Sequence, residues 1–217
     1  MNKSLIVTLS VVALALVSPE QSQSQGTFQN LDFESARIIL DPSSPYYPNA
    51  VNATNALPGW TVSGSVTGPD VFYDDVSLGA PAISIHDAND PFGLTPIQGR
   101  YSVYIQGSGS DTGIAQTGQI PFGIQSLTFW SQFTRVDVTF NGQTIPYVSI
   151  GSGSNYTIYG GDISAFAGQT GQLSFSGNGG YLDNIQFSDQ RIPEPGIFGL
   201  SVLGTLLLGG RVLRRRQ

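Results

Sequence analysis

Between Gln25 and Gln190, glycine or proline interrupts the chain about every ten residues, which leaves no room for a helix of ordinary length. A chain punctuated in this way can build a core only from short extended segments, and those segments show the required alternation. Tyr101, Val103 and Ile105 share one face, as do Leu127, Phe129 and Phe133. Val136, Val138 and Phe140 alternate with Asp137 and Thr139; Leu173 alternates with Phe175, and Ile185 with Phe187. Asn141-Gly142 separates Val136–Phe140 from a second extended run, Gln143–Ile150, and is the strongest short hairpin signal in the chain. Pro146 places that second run at a sheet edge or a bulge, because proline cannot donate to a ladder. The pattern predicts an all-β, two-sheet antiparallel β-sandwich over residues 25–190. Asp41 to Pro58 shows no clear period and reads as a surface loop.

The 40% apolar fraction is enough for a core, so the body is not disordered. Cysteine is absent, which excludes disulfides, a thiolate nucleophile and a Cys-based zinc site. The body carries thirteen carboxylates against Arg37, Arg100, Arg135 and Arg191. Phosphates would be repelled, so nucleic acid is excluded as a partner, whereas cation uptake fits.

The two ends differ from the body. Lys3 precedes an apolar run from Leu5 to Val17, too short to span a bilayer but suited to a signal peptide. Pro19 disfavours cleavage after Ser18, and Ser22-Gln23-Ser24 supplies the small residues, giving a signal peptide over residues 1–24. At the other end, Ile192-Pro193-Glu194-Pro195-Gly196 forms an extended hinge, since its two prolines fix φ and remove donors. The apolar run from Ile197 to Gly210 makes a helix of roughly 21 Å at 1.5 Å per residue, against roughly 30 Å of hydrocarbon. Extending it to Leu213, with Arg211 snorkelling, gives a marginal transmembrane helix over residues 197–213. Arg214, Arg215 and Arg216 complete an Arg-rich tail, residues 211–216, that holds the cytoplasmic side.

Pro193-Glu194-Pro195, the short Gly/Leu-rich helix and the terminal arginines together resemble the PEP-CTERM sorting signal over residues 191–217. That resemblance implies a bacterial protein exported through signal peptidase and the export machinery. It would be held as an inner-membrane-anchored intermediate, then cut by the membrane protease exosortase and placed at the cell surface or outside the cell. Gly196 departs from the Ser, Thr or Ala often found there.

The order Asn30-Leu31-Asp32-Phe33-Glu34, Leu57-Pro58-Gly59-Trp60, Gly99-Arg100-Tyr101-Ser102-Val103 and Leu182-Asp183-Asn184-Ile185 resembles galactose-binding-like jelly rolls, a fold used by carbohydrate-binding modules. In that family the first and last strands lie together, and a carboxylate from each helps to hold a structural calcium. The resemblance implies one Ca²⁺ on Glu34 and Asp183, with Asp32 as a weaker ligand. No other cofactor is indicated. An extracellular glycan such as exopolysaccharide is the candidate partner, with Tyr46, Tyr47 and Trp130 as the candidate sugar-stacking residues.

Catalysis has little support in the sequence. His86 is the only histidine, and no Gly-x-Ser-x-Gly elbow surrounds a serine. Asp74-Asp75 and Asp87-Ala88-Asn89-Asp90 read as solvated turns, and the second lacks the glycine and closing glutamate of an EF-hand. Three readings stand in order. The first is a non-enzymatic exported surface or extracellular-matrix protein, the second a carbohydrate-binding module, and the third a glycan-active hydrolase.

Overall fold

The structure is a computed structural model that describes residues 27–192, except 78, 92, 94, 108–111, 133–135 and 178. The signal peptide, Pro193-Glu194-Pro195, the apolar run and Arg214–Arg216 therefore lie outside the described residues, as does Phe133. No helix among the described residues is long and apolar enough to cross a membrane.

The described chain is almost entirely strand and turn. Its strands are β1 (Ala50–Asn52), β2 (Thr61–Ser63), β3 (Asp70–Tyr73), β4 (Ala82–His86), β5 (Ser102–Gln106), β6 (Gly113–Gln119) and β7 (Ser126–Gln132). They continue with β8 (Val136–Phe140), β9 (Gln143–Thr144), β10 (Tyr147–Ser152), β11 (Thr157–Asp162), β12 (Thr170–Gly177) and β13 (Gly180–Ser188). One sheet runs β1-β3-β4-β5-β13-β7-β11-β10 and the other β2-β6-β12-β8-β9.

Alternation explains the packing. Ile83, Ile85, Val103, Ile105, Leu127, Phe129, Leu182 and Phe187 face inward from the larger sheet. Ile114, Val136, Val138, Phe140, Leu173 and Phe175 meet them from the smaller one. Phe129 and Phe175 touch edge to face across the interface, with centroids 5.6 Å apart. Trp60 seals one end against Phe175 and Phe33.

The Asn141-Gly142 turn joins β8 to β9 as the sequence predicts, with both residues at positive φ (49° and 74°). The run after it behaves differently from the single strand expected. It breaks at Ile145-Pro146, so that β9 edges the smaller sheet and β10 edges the larger. Pro146 cannot extend a ladder, and Ile145, 2% exposed, turns into the core at the crossing. Pairing is antiparallel except for β3 and β4, which run parallel because residues 74–81 carry the chain back to the same end of the sheet. The Asp41–Pro58 stretch is only partly a loop. Its second half forms β1 and a single helical turn, Ala53–Ala56, capped by the Asn52 side chain, and it buries Val51, Ala56 and Leu57. Residues 30–34 form turns instead of a first strand, but the Leu31 carbonyl accepts the Ile185 N–H at 2.9 Å and so docks against β13.

Candidate functional site

The outer face of the larger sheet carries the polar chemistry. The registers place His86 opposite Ser102 on β5 and Asp183 opposite Trp130 on β7. The Ser102 hydroxyl links the two pairs by donating to Asp183 Oδ2 at 2.6 Å. Further along, Ile97 and Gln98 reach over this row, their N–H groups donating to Ser102 Oγ at 2.8 Å and to Asp183 Oδ2 at 3.0 Å. His86, Ser102 and Asp183 are all fully buried, although they point away from the sandwich core.

Two carboxylates from distant parts of the chain hold that covering segment. Glu34 Oε1 accepts the N–H groups of Arg100 at 2.8 Å and Tyr101 at 3.0 Å. Asp183 Oδ2 accepts Gln98 N–H at 3.0 Å, and its Oδ1 accepts Asn184 N–H at 2.6 Å. Burial pushes the Asp183 carboxyl up to about 7, against the pull of the Ser102, Asn184 and Gln98 donors. Gly99 fits between because it has φ of +63° and no Cβ; a Cβ there would lie 2.6 Å from Glu34 Cδ. The structure thus brings together Glu34 and Asp183, the two principal residues of the expected calcium set. Asp32 stays beside them in sequence, its Oδ1 accepting Glu34 N–H at 3.3 Å. Three of the four oxygens of Glu34 and Asp183 face N–H or O–H donors, which a cation would have to displace.

A second group lies where β3 and β4 end. His86 Nδ1 meets Asp90 Oδ2 at 2.5 Å. Asp74, Asp90 and His86 each offer one ligand atom, all within 4.8 Å of one another. Asp74 Oδ1 accepts Asp87 N–H at 2.9 Å, and the Tyr73 hydroxyl donates to Asp87 Oδ2 at 3.0 Å. Burial and the Asp87 charge raise the Asp74 carboxyl to about 6, against the pull of the Asp87 N–H. Burial also works to raise Asp87, but the donors on Asn89 and Tyr73 outweigh it and hold that carboxyl below its ordinary value. Burial lowers the His86 imidazole, with Asp90 opposing. The sequence reading of residues 87–90 as a solvated turn is therefore corrected: Asp87 is 2% exposed and Asp90 8%. That burial follows from no local pattern in the sequence.

The candidate stacking residues do not assemble into one site. Tyr46 is packed, its hydroxyl donating to the Val66 carbonyl at 3.0 Å and its ring set edge-on to Phe72 of β3. Tyr47 is exposed. Trp130 lies four strand spacings from β3, roughly 19 Å, and its neighbours Phe129 and Ser131 turn to the opposite face, as alternation predicts. Its partner is one the sequence did not single out. Tyr156 stacks on Trp130 with centroids 4.5 Å apart and planes within 10°. Both rings are half-buried, so the stacked pair stays partly exposed on the outside of the sheet, each ring covering one face of the other.

A separate cleft at the sheet crossing is lined by Asp137, Thr144, Pro146, Tyr147 and Tyr159. Asp137 is the one carboxylate among the described residues of its lining.

No known protein-family profile matches this chain, and no curated protein matches it. Among solved structures it is similar to an arabinose-bound α-L-arabinofuranosidase, at 16% identity and a TM-score of 0.29. The similarity covers 75% of this chain and 27% of that enzyme, so the chain spans well under half of the enzyme's length.

Proposed function

We propose that this chain is a non-enzymatic protein of the cell surface or extracellular matrix, exported by its signal peptide and delivered through a PEP-CTERM signal cut by an exosortase-type protease. The carrying observation is the three-part order of the tail: Pro193-Glu194-Pro195, then a barely spanning apolar helix over residues 197–213, then Arg214-Arg215-Arg216. The body suits such a tail. The Gln190 carbonyl accepts the Ser126 hydroxyl at 2.7 Å and Arg191 Nε donates to Gln125 at 3.2 Å, so the fold closes just before the hinge. Expressed in a host with an exosortase, the Glu194→Ala variant is exported but stays membrane-bound at full length. Release at the normal rate would remove the reading.

In this reading the sandwich is a jelly roll of the galactose-binding type. Supporting it are the docking of Leu31 on β13 and the convergence of Glu34 and Asp183 on one segment. The calcium implied by that likeness would take Glu34 and Asp183, with Asp32 at its margin, and would have to turn the N–H groups of residues 98–101 aside. A second reading, a module that binds an extracellular glycan, is favoured by the Trp130–Tyr156 stack, since sugar rings pack on flat aromatic faces.

A further inference from the structure

We propose that Asp74, His86 and Asp90 form a binding site for a first-row transition-metal dication of the Zn²⁺ class, which pins the Asp87–Arg100 segment to the ends of β3 and β4.

The ligand set is the first ground. One imidazole nitrogen and two carboxylates suit Zn²⁺ and its neighbours, whereas Ca²⁺ and Mg²⁺ prefer oxygen alone. The three ligand atoms lie within 4.8 Å of one another. Donors sharing one Zn²⁺ at about 2.0–2.2 Å stand roughly 3–4 Å apart, so side-chain rotations suffice. An ion entering here replaces the proton that His86 and Asp90 share at 2.5 Å and draws in Asp74. Metal binds, one proton leaves, and no other bond changes.

The second ground is what surrounds the group. His86 Nε2 and the Tyr181 hydroxyl are both buried with no hydrogen-bond partner. Their rings meet edge to face with centroids 5.4 Å apart. Buried polar atoms without partners are rare; His86 meets Asp90 through Nδ1, so its Nε2 is left for a hydrogen-bonding partner that orients the ring while Nδ1 holds the ion. The third ground is charge. Asp75 and Asp87 add two more carboxylates beside the His86–Asp90 hydrogen bond. The described arginines are engaged elsewhere: Arg37 reaches Asn55, Arg100 lies over Tyr101 and Arg191 reaches Gln125.

The test uses the purified full chain, stripped with EDTA and titrated with Zn²⁺, Ca²⁺ and Mg²⁺ in separate arms. One Zn²⁺ per chain is expected, with the melting temperature rising by roughly 5–10 °C at a hundredfold excess over Kd. Ca²⁺ and Mg²⁺ should give less than a tenth of the Zn²⁺ affinity. Asp74→Asn, at a half-exposed position, should melt normally without metal and bind Zn²⁺ at least tenfold more weakly. His86→Gln should abolish the visible absorption of a Co²⁺ complex formed by the parent chain. Absence of stoichiometric Zn²⁺ uptake overturns the proposal, as does uptake unchanged in Asp74→Asn, or equal affinity for Ca²⁺. None of these outcomes depends on sorting or on glycan binding.

Discussion

Gly99→Ala tests whether the Glu34 clamp holds the covering segment. Two costs add at this position. Alanine at a φ of +63° costs about 1 kcal/mol over glycine. Its Cβ would also lie 2.6 Å from Glu34 Cδ, so the carboxylate must withdraw from the N–H groups of Arg100 and Tyr101. Each of those bonds goes to a charged acceptor at an exposed site and is worth about 1 kcal/mol. The sum is about 3 kcal/mol, or a fall in Tm of roughly 6–12 °C for a chain of this size. Gly68→Ala isolates the backbone cost, because Gly68 has φ of +66° and a Cβ added there would meet nothing within 4 Å. It should cost about 1 kcal/mol. In a Glu34→Ala background, Gly99→Ala should likewise cost only about 1 kcal/mol, leaving a coupling of about 2 kcal/mol. Urea unfolding followed by the fluorescence of Trp60 and Trp130 measures all four chains. If Gly99→Ala costs no more than Gly68→Ala, or costs the same with and without Glu34, the clamp does not exist.

Two further outcomes follow from the outer face. In EDTA-treated protein, stability should fall as pH rises from about 4 to 7: burial lifts Asp183 to about 7 and Asp74 to about 6, so the folded chain keeps protons that the unfolded chain, with carboxylates near ~3.9, has shed. Asp41, Asp87 and Asp162 are shifted the other way and act below that window, while the lowered His86 imidazole opposes the fall below about pH 6.5. The fall should therefore be steeper in His86→Gln, and a Tm of that variant that climbs between pH 4.5 and 7 would contradict the buried-carboxylate account. Trp130→Ala should lose about 1 kcal/mol of stacking with Tyr156 and melt within a few degrees of the parent, yet lose any retention on immobilised extracellular glycan; retention that survives the substitution would rule out the stack as the sugar platform.

The inward faces of the strands were legible because alternation against a single core leaves a period in the sequence. Tyr101, Val103 and Ile105 show it, as do Val136, Val138 and Phe140, and all six are buried. The Asn141-Gly142 turn was legible for an equally local reason. The candidate site was not. In β4 the sequence Ala-Ile-Ser-Ile-His alternates correctly, but every residue is buried, because Asp90 from the turn that follows and the Tyr104 and Tyr181 rings from β5 and β13 lie on the polar side as well. Alternation can say that Ser84 and His86 point away from the core; it cannot say that something lies on top of them. The burial of Asp90 and the pairing of Tyr156 with Trp130 depend in the same way on contacts between separate segments. The break at Pro146 was half legible: proline announced an interruption, but only the three-dimensional path shows that the chain changes sheets there.

β13 is the last of the described strands to be made and lies at the centre of the larger sheet, between β5 and β7. Before it arrives, β1-β3-β4-β5 and β7-β11-β10 are two separate ribbons with an empty lane between them. A chain still emerging from its site of synthesis therefore cannot close this sheet until residue 188 is free. Once the sheet is closed, a pull on the chain just after β13 acts along the sheet's middle lane, where ladders on both sides resist sliding together in shear.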